Sequence, residues 1–217
     1  MIHFSSACKR YANGFEALKG ISLVIEKGEM VAVTGHSGAG KSTLLKLAAG
    51  IELASAGQVH VNNQNLAQLK EAGRAVLRRN LGLVFQDHKL LFERNVYANV
   101  ALPLEIAGFT HAETGNRVRA ALDKVELLNR EKAYPIALSS GEQQRLCIAR
   151  AIVNRPSILI ADEPTGNLDQ SYAATIMDLF TSFSQVGVTV LLSSHDDTGL
   201  ARLQCRRVAL AGGMVVE

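Results

Sequence analysis

One stretch, Gly35-His36-Ser37-Gly38-Ala39-Gly40-Lys41-Ser42-Thr43, limits what this chain can become more than any other. It follows Met30-Val31-Ala32-Val33-Thr34, an apolar run of strand type, and it precedes Leu44 to Ala49, a run of strong helix formers. Strand, glycine-rich turn, Lys-Ser and helix is the context of a phosphate-binding loop. Glycines let the backbone turn back so that successive N–H groups face one cavity, and that cavity suits phosphate oxygens. The helix start adds unpaired donors and the positive end of its dipole. On this reading Gly35, His36, Ser37, Gly38, Ala39, Gly40 and Thr43 cradle ATP, Lys41 reaches its β- and γ-phosphates, and the Ser42 hydroxyl ligates Mg²⁺. The bland alternative is a chance match in a glycine-rich turn; the flanking strand and helix weigh against it.

The 217 residues suffice for one large domain or one domain with an inserted lobe. Trp is absent and aromatics are 5% of the chain, which speaks against stacking platforms for nucleic acid. A formal charge of +3 is too small to argue for DNA or an anionic membrane. Cys8, Cys147 and Cys205 are scattered, with no CxxC pair, so neither a disulfide framework nor a zinc site is indicated. Free thiols fit a reducing cytosol. Neither a signal peptide nor a membrane span is expected, so work at a membrane would need another protein as anchor.

The first third reads as β-rich, with strands over Ile2 to Ala7, Ile21 to Ile25 and Gly57 to Val61. Tyr11 falls on the loop between the first two; it suits either stacking on an adenine or a half-buried loop anchor. Leu81 to Phe85 is a further strand candidate, ending in Gln86. From Asn95 to about Asn154 the period becomes helical, with Pro103, Gly108 and Pro135 as expected breaks. The strand pattern resumes at Ser157 to Asp162 and at Val188 to Ser193, with a helix from about Asp169 to Gln185 between them. A last strand is expected around Arg207 to Ala211.

Parallel α/β sheets bind ligands at the carboxyl ends of their strands. The glycine-rich loop, Gln86, Asp162-Glu163 and His195 all stand at such ends, which makes a common site. Neighbouring side chains on a strand diverge, so the two carboxylates can serve different partners. Asp162 would hold Mg²⁺ directly or through water, and Glu163 would polarise the attacking water as general base. Gln86 can orient water and touch Mg²⁺ at the root of the helical region, and His195 can hydrogen-bond a γ-phosphate. Each also has an ordinary reading as a polar strand end. Leu138-Ser139-Ser140-Gly141-Glu142-Gln143 opens a helix with Ser139 as N-cap and Glu142 in the capping-box position. Such a start is also a second anion cradle, which suggests phosphate gripped from two sides.

With these motifs in order along its whole length, the chain resembles an ATP-binding-cassette ATPase. Leu138 to Gln143 is similar to that family's signature, Asn167-Leu168-Asp169 to the loop crossing between sites, Tyr11 to its adenine-stacking aromatic, and His195 to its switch histidine. The resemblance implies an α/β P-loop NTPase with a mainly parallel sheet core, an N-terminal antiparallel β part and an inserted helical subdomain. The core would comprise residues 1–87 and 155–217, and the subdomain 88–154. It implies a homodimer in which Ser139, Ser140, Gly141, Glu142 and Asp169 of one copy meet the ATP held by the other.

Within the family, Thr34 to Leu47, Gly50-Ile51-Glu52, Val84 to His88 and Asn99 to Leu104 resemble the branch serving bacterial cell division. This implies an integral-membrane partner docked near the Gln86 loop, a peripheral position on the cytoplasmic face of the inner membrane, and indirect control of cell-wall hydrolases. Cassettes for lipoprotein release or macrolide export share Glu142 and the Asp162-to-Asp169 segment, so an export role stays open. A division scaffold with little hydrolysis also stays open, favoured by Ser140, which stands where the family usually has glycine. A position there that needs positive φ or close approach to phosphate would make a Cβ cost of order 1 kcal/mol and weaken closure.

Overall fold

The computed structural model describes residues 1–166, 168–195, 197–201 and 203–216, with backbone alone at 197–198. The chain runs β1 (Ile2–Arg10), β2 (Glu16–Ile25), β3 (Met30–Thr34), α1 (Lys41–Ala48), β4 (Ala56–Val61), β5 (Gln64–Asn65), α2 (Glu71–Arg79) and β6 (Leu81–Val84). It continues through α3 (Val96–Ala107), α4 (His111–Lys124), α5 (Ser140–Ile152), β7 (Ile158–Ala161), α6 (Gln170–Gln185), β8 (Thr189–Ser193), α7 (Asp197–Leu200), β9 (Arg206–Ala211) and β10 (Met214–Val216).

The strands form two sheets. One is antiparallel in the order β2-β1-β4-β5; the other is ordered β10-β9-β3-β8-β7-β6. In the second sheet β9, β3, β8, β7 and β6 are parallel, and β10 runs antiparallel to β9. The central strands are apolar throughout because both of their faces are covered. Side chains alternate across the sheet, so each strand divides between two cores. Met30 and Ala32 of β3, Leu159 and Ala161 of β7, and Val190 and Leu192 of β8 pack with the helices α3 to α6. Val31 and Val33, Ile158 and Ile160, and Leu191 pack on the other side with α1 and the antiparallel sheet.

Between β6 and β7 the described residues carry helices and turns without a strand, and α3, α4 and α5 pack on one another. Their starts are capped as short polar residues before apolar runs should be: Asn95 accepts from Ala98 N–H, and Thr110 and Ser139 each form a complete capping box.

Three elements depart from the sequence pattern. Pro103 does not break a helix; it lies inside α3, where the fully buried Val96, Val100 and Leu104 hold the apolar face together around the missing N–H. The polar helix α2 has only Leu77 buried and therefore lacks an apolar stripe. Its internal support is charge: Arg74 and Arg78 both donate to the Glu71 carboxylate, at 2.6 and 3.1 Å. β10 follows the Gly212-Gly213 turn as a short edge strand on β9.

Parallel register sets the site. Val84 pairs with Ala161, Ala161 with Leu192, and Leu192 with Ala32. The residues just beyond these positions therefore emerge on one edge of the sheet.

Candidate functional site

The glycine-rich loop leaves β3 and enters α1 through two backbone positions that a side chain would block. Gly35 has φ +137 and a Cβ there would lie 2.2 Å from the Leu210 carbonyl oxygen; Gly40 has φ +107 and a Cβ would lie 2.6 Å from that of Ala17. Both positions turn the chain where only glycine fits. His36, Ser37 and Gly38 are left exposed, whereas Lys41 is buried with 5% of its surface accessible. Its ammonium donates to the carbonyls of Gly35 at 2.8 Å and His36 at 3.3 Å and stands 3.5 Å from Glu163 Oε1. The lysine is thus held inside the cradle with its charge opposed, among the described residues, by the Glu163 carboxylate.

Glu163 follows β7 with φ +46, a left-handed conformation that costs a non-glycine residue about 1–3 kcal/mol and is found chiefly at functional sites. Two contacts hold it there. Its N–H donates to Ser193 Oγ at 2.9 Å, and its second carboxylate oxygen stands 3.2 Å from His195 Nδ1. Glu163 therefore lies between a lysine and a histidine, while the His195 ring stays 57% exposed. Asp162 diverges from it, accepting from Ser42 Oγ at 3.0 Å and from Ser193 Oγ at 2.7 Å.

Thr34, Gly35, His36, Ser37, Lys41, Glu163 and His195 line one cleft of about 640 Å³. Ser42, Asp162 and Gln86 line a neighbouring one of about 850 Å³, and Gln86 is exposed. Ser42, Asp162 and Gln86 offer oxygens there (hydroxyl, carboxylate and amide), which suits Mg²⁺, while Lys46, Arg78 and Lys89 line the same cleft. No cluster of three or more His, Cys, Asp or Glu able to hold a metal occurs among the described residues. That donor set fits an ion that arrives shared with phosphate, since Mg²⁺ is commonly held by one or two protein groups plus phosphate oxygens.

Tyr11 is anchored through its hydroxyl, 3.2 Å from Thr43 Oγ1 and 3.1 Å from Glu52 Oε1, and the Lys9 ammonium lies 5.2 Å from its ring centroid. The ring is therefore tied to the first helix of the phosphate loop and half-exposed.

Ser139, Ser140, Gly141 and Glu142 line neither cleft. Ser139 caps α5 and Ser140 is its first residue, outside the positive-φ set. The premise of a positive φ at Ser140 does not hold, because Ser140 is an ordinary first residue of the helix. Gly141 carries the steric demand instead: a Cβ there would meet the Tyr172 ring at 3.1 Å. The Ser139 N–H, donating at 2.8 Å, holds the Glu142 carboxyl below the usual glutamate range. Asp169 caps α6, and the Ser171 hydroxyl, donating at 2.7 Å, lowers its pKa together with the N–H groups of Tyr172 and Ser171. Asn167 lies outside the described residues.

Sequence reasoning missed Ser193, which is fully buried and bonds both site carboxylate residues. A hydroxyl closing an otherwise apolar strand was the available signal. It also missed Glu52, whose carboxylate joins Tyr11 and Lys9 at 3.1 and 3.0 Å.

The ABC transporter family matches residues 18–166. The cell division ATP-binding protein FtsE of Escherichia coli K12 is 51% identical over 213 residues, covering 98% of this chain and 96% of that protein. FtsE of Bacillus subtilis is 42% identical, covering 100% of this chain and 95% of that one. Among solved structures, the dimeric bacterial ABC transporter cassette MJ0796 superposes with a TM-score of 0.93 at 33% identity, covering 100% of this chain and 97% of that one. The same cassette in a dimeric post-hydrolysis state bound to ADP and Pi gives 0.93 at 32% identity, with the same coverage.

Proposed function

Because the chain belongs to the ATP-binding-cassette family and hydrolyses ATP, we propose that it is the ATPase subunit of a bacterial cell-division complex, working as a homodimer on an FtsX-like membrane protein. The observation that carries the catalytic part is the placement of Glu163 between Lys41 and His195 at the mouth of the phosphate loop. Full-length likeness to FtsE proteins supports the biological part.

The loop amides and Lys41 hold the phosphates and stabilise charge as the terminal phosphoryl leaves. Glu163 accepts a proton from the attacking water; His195 steadies its outer oxygen and the Ser193 hydroxyl its backbone. Ser42, Asp162 and Gln86 would hold Mg²⁺, which supplies further stabilisation of phosphate charge. Tyr11 would take the adenine. Ser139 to Glu142 and Asp169 act in trans, in keeping with their absence from the lining of the two clefts. Residues 88–154 serve as the moving helical lobe and the remainder as the catalytic core.

The membrane subunit docks beside the Gln86 loop. A groove of about 430 Å³ there runs between α2, the edge strand β6, α3 and α5, and Leu83, Phe85, Leu102, Pro103 and Ile106 give it an apolar floor. No helix among the described residues is long and apolar enough to cross a membrane. On this reading the chain attaches peripherally at the cytoplasmic face of the inner membrane, through this contact. Through it, ATP-driven motion reaches septal cell-wall hydrolases. Affinity purification from the native membrane tests the assignment: recovery with an FtsX-like protein supports it, and recovery with a lipoprotein-releasing permease alone overturns it.

A further inference from the structure

The backbone just after Gln86 is held in an unusual way. His88 and Lys89 are consecutive non-glycine residues with φ +58 and +49. A left-handed pair is unfavourable for such residues and persists only when the surroundings hold it. The hold comes from α5. Arg150 Nη2 donates to the His88 carbonyl at 2.6 Å and Nη1 to the Lys89 carbonyl at 2.7 Å, while the buried Cys147 thiol lies 3.3 Å from the same His88 carbonyl. A planar guanidinium presents two donors in a fixed fork to the adjacent carbonyls, a geometry that a compact, rotatable ammonium does not impose. No carboxylate lies within ion-pair distance of Arg150 among the described residues, and burial lowers its pKa, so its charge is committed to these two dipoles. Downstream the same loop is closed by Asn99, fully buried in α3, which bonds both the N–H and the carbonyl of Leu91 and also the Arg94 carbonyl.

We propose that Arg150 is a positioning residue for ATP turnover: its two-pronged contact with the His88 and Lys89 carbonyls fastens the Gln86 loop to the signature helix, so that the two move as one body. Arg150 lies ten residues along α5 from Ser140, about 15 Å at the helical rise. A shift of Gln86 at the Ser42–Asp162 side therefore reaches Ser139 to Glu142 through one rigid element. The proposal rests on Gln86 acting in turnover.

The test is a double-mutant cycle on the chain purified with its membrane subunit, reading kcat, KM for ATP and recovery of the subunit. Arg150→Ala should lower kcat about tenfold with KM changed less than about twofold. Arg150→Lys should recover part of the loss. In a Gln86→Ala background, Arg150→Ala should cost nothing more, because a residue that acts through another has no effect once the other is gone. Independent, multiplying losses would overturn the latch while leaving the functional reading intact. Loss of the membrane subunit on Arg150→Ala would assign the residue to docking and also overturn it. An unaffected Gln86→Ala enzyme would take down the role of Gln86 and the latch together. Should Arg150→Ala melt below the assay temperature, Arg150→Lys and Arg150→Gln carry the same cycle.

Discussion

Ser193 Oγ donates to Asp162 Oδ1 at 2.7 Å, and the same oxygen accepts the Glu163 N–H at 2.9 Å. One buried hydroxyl thus sets both carboxylate residues, one as a neighbour of Ser42 and the other facing Lys41. Ser193→Ala should lower ATP turnover about ten- to hundredfold, as loss of an orienting partner commonly does, with a smaller effect on folding. Steady-state ATPase assays beside thermal melts check this; unchanged turnover would mean that backbone geometry alone orients the pair.

Lys41→Ala should weaken ATP binding by about 3 kcal/mol, on the order of a hundredfold. The substitution removes the charged donor from the cradle and leaves Glu163 without its cation. Titration calorimetry with ATP measures the loss, and near-native affinity would remove Lys41 from the phosphate site.

Glu163→Gln preserves shape and the contact with Ser193 while removing the base. Turnover should fall about 10²- to 10⁴-fold with ATP still bound. Without cleavage the paired state should accumulate, visible as a dimer by size exclusion in ATP and Mg²⁺. A monomer under those conditions, with the membrane partner supplied, would refute the shared-nucleotide mechanism.

The signature offers a contrast between adjacent residues. Ser140→Gly should change turnover by less than about twofold, since Ser140 occupies an ordinary helix start. Gly141→Ala should reduce stability by about 1 kcal/mol and turnover more strongly, because its methyl meets the Tyr172 ring. Parallel ATPase assays decide; a severalfold gain from Ser140→Gly would restore the idea that serine impairs closure.

Burial pushes the Cys147 thiol up to about 12. An unfolded cysteine ionises near 8.5, so above that pH the unfolded chain releases a proton that the folded chain keeps. The Cys147 contribution to stability is therefore whole below about pH 8.5 and declines as pH rises toward 12. Denaturant melts of wild type and Cys147→Ala should converge in that window. At pH 8 the native thiol should be the last of the three to react with a thiol reagent; early labelling would contradict its burial.

The parallel strands were legible because burial on both faces leaves continuous apolar runs, as in Val31 to Val33 and Leu159 to Ala161. The phosphate loop was legible because its glycines answer to local backbone demands. Helix α2 was hidden because a helix stabilised by Glu71 with Arg74 and Arg78 needs no apolar stripe. Pro103 misled because a break was inferred from one residue, whereas the helix is maintained by its neighbours' burial. Ser193 and Arg150 could not be ranked from sequence, since each acts across a distance in chain, on Asp162 and on His88, that only the fold closes.

The capping box of α5 has a consequence for a copy on its own. Glu142 N–H already donates to Ser139 Oγ at 3.3 Å, and Ser139 N–H to the Glu142 carboxylate at 2.8 Å. Two of the donors nearest the helix tip are therefore turned inward, and the amides of Ser140 and Gly141 stand in the first turn where no intrahelical acceptor reaches. A phosphate arriving from outside the chain would therefore meet the two amides still without a partner, the other two being already engaged. The same hydroxyl and carboxylate that start the helix thus also limit what its tip can offer to a neighbour.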